Sequence, residues 1–251
     1  MRPQVSLGRT RREPSRSRSP RHGVRHLLAT FLTAAPVAVM LVMIVPTPSP
    51  ASAAASCPTG PLTFNATFSN GTASIGTAAK GSGLSGTACG ALKPVLGGFT
   101  LDVPAANISF APTTLKLFGI ISVPSTITVD GPMTGTVTGP TSNPDGTLSF
   151  EQTSAAPLTS TVKLLGFTCS VGPFTPVLTT GTSGSLTGTP LTGTLTAQTG
   201  TLVSNTFSVP AIQGSPTCPG FIAGLSNSTL GLPLAPGKSS LTLPVSLTVT
   251  L

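Results

Sequence analysis

Residues 241–251 read LTLPVSLTVTL. Leu241, Leu243, Val245, Leu247, Val249 and Leu251 recur at every second position, with Thr242, Pro244, Ser246, Thr248 and Thr250 between them. Successive side chains of an extended strand point to opposite faces, so a period of two gathers the apolar groups on one side and leaves the other wet. Pro244 has no N–H to donate. The strand is therefore expected at a sheet edge, or with a bulge at that residue.

The same alternation recurs upstream. Leu62, Phe64, Ala66 and Phe68 alternate with Thr63, Asn65 and Thr67, and Asn70-Gly71 reads as the turn that follows. Phe99–Val103, Thr126–Asp130, Thr161–Leu164 and Leu191–Ala197 repeat the pattern, and Leu148 and Phe150 follow the turn signal Asp145-Gly146. From residue 54 onward there are 37 Thr, 26 Gly and 19 Pro. Thr favours strands, Gly and Pro punctuate turns, and the straight-chain helix formers are nearly missing. The expected fold is all-β: an antiparallel β-sandwich or a barrel-like sheet. Gly90–Leu96 and Pro219–Leu225, each directly after a cysteine, are the segments expected to take a helical turn. Their parallel placement points to two similar β halves, residues 56–140 and 157–251, joined by a connecting hairpin or linker over residues 141–156.

The chain has 13 Lys and Arg against 5 Asp and Glu, a formal charge of +8. All eight arginines lie at or before Arg25, and both histidines, His22 and His26, lie in the same segment. Leu27–Val45 follows with 19 uncharged, mostly apolar residues, then a proline-rich break and the small residues ASAAAS. A basic segment, an apolar core and an A-x-A site describe a secretory signal, so residues 1–55 are read as a leader cleaved after Ala53 or Ala55. Uncleaved, the 19 residues are long enough to span a bilayer as a retained anchor. The arginines would then stay inside and leave the body outside.

The body beyond the leader carries Lys80, Lys93, Lys116, Lys163 and Lys238 against Asp102, Asp130, Asp145 and Glu151, a net of +1. It has no Arg, His, Trp or Tyr. This argues against a basic nucleic-acid face and against imidazole catalysis, so no nucleic-acid partner is expected. Cys57, Cys89, Cys169 and Cys218 all lie in the body. An even number of cysteines in an exported chain reads as disulfides, and three pairings are possible. Local pairing, Cys57 with Cys89 and Cys169 with Cys218, is the simplest. Chain entropy assigns these loops about 3.7 and about 4.1 kcal/mol. No Cys-x-x-Cys spacing exists, so neither a metal nor a redox site is expected.

Four carboxylates and five lysines are the acid–base inventory of the body. Asp102 and Asp130 sit on polar faces of expected strands, and nothing in the sequence joins them into a hydrolytic pair. Ser160 and Lys163 match Ser-x-x-Lys, but the match falls on an alternating strand, where residues three apart point to opposite faces. Asn143, Asp145 and Glu151 resemble part of a calcium loop, yet Asp-Gly is first a hairpin signal. No catalytic residue, cofactor or metal ligand is assigned.

The arginine-rich leader, the Thr/Gly/Pro body and the closing stretch Phe207–Ala211, Cys218, Gly231-Leu232-Pro233 and Leu241–Leu251 resemble a class of secreted, paired-cysteine proteins of high-GC Gram-positive bacteria. The resemblance covers the leader and roughly the last 45 residues. It implies a bacterial extracytoplasmic setting and no activity.

The leading expectation is a secreted or cell-envelope-associated, non-enzymatic β protein with a structural or binding role and no membrane span once the signal is removed. A second reading is an extracytoplasmic carrier of an apolar ligand. The run Leu115, Leu117, Phe118, Ile120, Ile121 and Val123, broken by the charge of Lys116, suits a strand buried on both faces or a pocket wall. A third is a membrane β-barrel, disfavoured by the lack of Trp and Tyr for aromatic girdles.

Overall fold

A computed structural model of the chain describes residues 56–251. The expected leader over residues 1–55 falls outside the described residues. The stretch from residue 56 belongs to one compact unit with its own hydrophobic core.

Among the described residues, the alternating segments form sixteen strands. In chain order the first are β1 (Thr63–Ile75), β2 (Ala79–Val95), β3 (Gly98–Val103), β4 (Ile108–Phe110), β5 (Thr113–Leu117) and β6 (Ile121–Val129). Next come β7 (Met133–Ser142), β8 (Leu148–Ala155), β9 (Leu158–Leu164), β10 (Phe167–Phe174), β11 (Val177–Thr179) and the small hairpin β12 (Thr182–Ser183) with β13 (Leu186–Thr187). β14 (Thr189–Gly193) and β15 (Ala197–Ser204) lead to α1 (Gly220–Leu230), the one α-helix among the described residues, and to the last strand, β16 (Ser239–Thr250).

Most of the large sheet closes on itself. β1 pairs antiparallel with both β16 and β2. From β2 the ring runs through β3, β7 and β8. β11 and β14 lie end to end between β8 and β15, and β15 returns to β16. Closure removes exposed strand edges. The interior is apolar: Phe64, Val103, Met133, Phe150, Leu191, Leu202, Leu243 and Val245 are buried. Outward residues such as Thr134, Thr136 and Thr138 on β7 are exposed threonines.

A second sheet branches from the same long strands. The start of β2, Ala79–Gly81, pairs with β5, and the order continues through β6, β9 and β10. Bulges mark the bend between ring and branch. Phe64, Ala66 and Phe68 face the core on even positions, whereas Gly71, Ala73 and Ile75 do so on odd ones. An extra residue is needed to keep one face inward across that change. Asn70, at φ 54°, supplies it. Asn70-Gly71 is therefore a bulge within β1 and not the turn expected from the sequence.

The bulge also accommodates the proline of β16. Phe68 is opposite Val245 and Thr72 opposite Thr242, so Leu243 and Pro244 face the interrupted part of β1. The missing N–H of Pro244 thus sits at a bulge, while β16 itself is an interior strand. Gly71 is held to glycine by sterics: a Cβ there would lie 2.8 Å from Leu243 Cδ2 and 3.0 Å from the Thr242 carbonyl. Gly71→Ala is expected to cost about 1–3 kcal/mol, the usual range for overpacking. Urea unfolding checks this, and a midpoint equal to wild type would contradict it.

The segment expected to take a helical turn at Gly90–Leu96 is extended strand to Val95 instead, with Leu96 in the β2–β3 turn. Strands β1 and β3 pair with it from both sides, at Phe64↔Gly90 and Leu92↔Leu101. A Cβ on Gly90 would lie 2.9 Å from Val103 and 3.0 Å from the Phe64 ring, so the glycine lets three strands close up. The second such segment is a helix and continues past Leu225 to Leu230. Asn227 ties it to the preceding loop: its Oδ1 accepts from the Ile212 N–H at 2.8 Å and its Nδ2 donates to the Ile212 carbonyl at 2.9 Å. Residues 141–156 contribute the β7–β8 hairpin, which belongs to the closed ring.

Candidate functional site

The cysteines form the two local bridges. Cys57 is joined to Cys89 with Cα atoms 5.5 Å apart, and Cys169 to Cys218 at 4.9 Å. The second bridge lies on β10, whose ladder partner is β9. On its other side the Thr168 N–H donates to the Thr217 carbonyl at 3.0 Å. The bridge thus fastens the loop before α1 along an edge strand that would otherwise be open. Two disulfides favour an oxidising, extracytoplasmic environment. Among the described residues, no helix is long and apolar enough to cross a membrane.

The ionisable groups are dispersed. Asp102 on β3 lies 3.9 Å from Lys93 on β2, with both side chains more than half exposed. Such a pair is worth little. Asp130 follows β6 in the branching sheet and accepts from the Thr159 hydroxyl at 2.6 Å. The two aspartates sit on different parts of the sheet. Ser160 is buried and shares a 3.2 Å hydrogen bond with Ser125, while Lys163 is exposed on the opposite face of β9. The Ser-x-x-Lys match brings no lysine to the serine.

The 143–147 segment is a turn. The Thr147 hydroxyl and backbone N–H donate to Asp145 Oδ1 at 2.6 and 2.9 Å, and they hold its carboxyl below the usual carboxylate range. The Asn143 amide donates to Thr147 and Ser149. Glu151 points outward from β8, opposite Thr138. The oxygens of Asn143 and Asp145 serve the turn itself.

The apolar run at Leu115–Val123 is a hairpin. Leu115 and Val123 enter the core, but Phe118, Ile120 and Ile121 are exposed around the β5–β6 turn. It is neither a strand buried on both faces nor a pocket wall along its length. Internal space is small. Cavities of about 40 Å3 beside Ser125 and Ser160, about 20 Å3 beside Met133 and Gln152, and about 40 Å3 beside Leu92 and Phe99 leave room for water alone.

The larger concavity is on the surface. A groove of about 490 Å3 runs between the end of β10 and the two loops flanking α1. Pro173, Pro210, Pro233 and Pro236 border it, and Phe174 stacks on Phe207 with ring centres 5.5 Å apart. Val209 and Leu234 exchange backbone hydrogen bonds of 3.0 and 2.8 Å along it. Among the described residues, no charged side chain lines the groove. It offers flat apolar rings and hydroxyls, with no group able to move a proton near neutral pH. The sequence marks its prolines only as turn residues, since the two loops are remote from β10 in the chain.

No protein-family model matches the chain, and no curated protein or solved structure matches it either.

Proposed function

We propose that the chain is an exported, non-enzymatic β domain with a binding role at the cell envelope. The dispersal of its acid–base groups carries this reading. Hydrolysis by carboxylates needs two of them a few ångströms apart across a substrate. Here Asp102, Asp130, Asp145 and Glu151 belong to separate surface regions, each beside a lysine, a hydroxyl or solvent. The disulfides support export, and the resemblance of the leader and the closing residues to secreted bacterial proteins agrees with it.

The test is a broad hydrolase screen of the purified chain beginning at Ser56. No turnover is expected. Clear turnover that disappears with Asp102→Asn or Asp130→Asn would overturn the reading. A carrier encloses its apolar ligand in a pocket of roughly 300 Å3 or more; the internal cavities are about 20–40 Å3, and the groove of about 490 Å3 lies open on the surface. Native mass spectrometry should therefore detect the chain without co-purified lipid. A stoichiometric lipid adduct would make the carrier the better reading.

A further inference from the structure

We propose that one end of the molecule, formed by three β-turns and helix α1, docks on the surface of an anionic lipid bilayer. This names a partner for the binding role above and so rests on that reading. Ala79 pairs with both Ile75 and Leu117, which brings the β1–β2 and β5–β6 turns to the same end. Ser125 is opposite Val162, so the β9–β10 turn at Leu165-Gly166 emerges there too. The Phe118 N–H donates to the Ala78 carbonyl at 2.7 Å, joining two of the turns. Helix α1 lies across this end. Phe221 meets Phe167 edge-on at 6.1 Å beside the β9–β10 turn, and a Cβ on Gly76 would lie 3.4 Å from the Leu230 carbonyl.

Large apolar side chains protrude from this end. Phe118, Ile120, Ile121, Leu165, Phe221 and Leu225 are each between 52% and 81% exposed. Five of them occupy turns or the helix, convex features suited to entering an interface. Helix α1 has no charged residue, and Phe221, Gly224, Leu225 and Ser228 form its outer side. A helix at a water-facing surface ordinarily carries charges there. The two turns repeat one pattern, Lys116-Leu117-Phe118-Gly119 and Lys163-Leu164-Leu165-Gly166. Phe118 and Leu165 lie at φ 52° and 51°, where tight hairpins normally use Asn, Asp or Gly. A bulky exposed residue in a left-handed conformation is costly to the fold, and such costs mark functional positions.

Charge supplies the complement. Lys80, Lys116, Lys163 and Lys238 are exposed at or next to this end. Lys80 and Lys116 are directly opposite each other across two strands, a repulsive arrangement that an anionic partner relieves. Lys238 precedes Ser239, which pairs with Ile75. None of the described carboxylates is here: Asp102 and Glu151 are on ring strands, Asp145 is in the β7–β8 turn and Asp130 lies past the far end of β6. From residue 56 onward the lysine end carries +4, and the remainder carries −3 from Lys93 against four carboxylates. A charge separation of this kind turns the lysine end toward an anionic surface, where the apolar tips can enter.

The test uses the chain from Ser56, which contains the core and both bridges but not the apolar leader. Since the chain has no Trp or Tyr, Phe118→Trp makes a single reporter at the β5–β6 turn. Vesicles of phosphatidylcholine with about a third phosphatidylglycerol should shift its emission to the blue, and brominated acyl chains should quench it. Leu165→Trp should respond likewise, whereas Leu96→Trp, on the fully exposed β2–β3 turn at the opposite end, should not. The binding should fall with salt, and Lys116→Glu with Lys163→Glu should weaken it at least about tenfold. Co-sedimentation of the unsubstituted chain reads the same binding without any substitution. No binding to anionic vesicles, or an equal response from Leu96→Trp, would overturn the proposal. So would a blue shift that grows with protein concentration without vesicles, which would assign the tips to a second copy. Failure here leaves the turnover screen untouched, so the two readings fall separately.

Discussion

Replacing Cys169 and Cys218 together with alanine is expected to lower stability by about 2–5 kcal/mol, the range for a native bridge in a secreted domain. The bridge closes a sequence separation of 49 residues. The intervening chain is rich in glycine, so the freed unfolded state gains much conformational entropy. The native state also loses its fastening at β10. The loop leading to α1 is held there by the bridge and by the Thr168–Thr217 hydrogen bond. Phe207, Val209 and Ile212 of this loop and Ile222 of α1 are buried and would open together. Urea unfolding of the double variant measures the cost, and limited proteolysis should cut first between residues 205 and 235. An unfolding midpoint within error of wild type would show that the bridge does not hold this layer.

Leu243→Ala should be comparably severe, at about 3–5 kcal/mol. Leu243 is fully buried in β16, against Gly71 and near Leu84. β16 is fixed on both sides by β1 and β15, so its backbone has little freedom to move into the vacated space. A cavity left open costs more than one that collapses. Ser246→Ala, on the exposed side of the same strand, should stay within about 0.5 kcal/mol of wild type. If both variants unfold at the same urea concentration, the inward direction of Leu243 is wrong. This comparison also separates loss of packing from a general intolerance of change in β16.

Alternation is local, and so it was readable before any pairing was known. The period of two at Leu241–Leu251 settled that a strand forms there and that Leu241, Leu243, Val245 and Val249 turn inward, because a one-residue slip would place four buried groups in water; Leu251, past the end of β16, is exposed. The prevalence of Thr, Gly and Pro settled the all-β class, and an even number of cysteines, with no Cys-x-x-Cys spacing among them, pointed to the bridges that form. Pro244 told of a ladder interruption, because a missing donor is a property of one residue.

Three features were beyond local reading. Asn70-Gly71 has the same dihedral preferences in a turn and in a bulge, and the ladders from β2 and β16 on either side select the bulge. Gly90–Val95 became strand because β3 pairs with Ala91–Val95 while β1 flanks Gly90 and Ala91 from the other side. The candidate surfaces depend on closure as well. The groove needs β10 beside two loops distant in the chain, and the lysine end needs four lysines spread from residue 80 to residue 238. Their spacing in sequence carries no trace of this. Long strands traverse the whole molecule, and antiparallel register returns remote turns to one end. That non-local pairing converts a nearly neutral body into one with a positive, apolar tip.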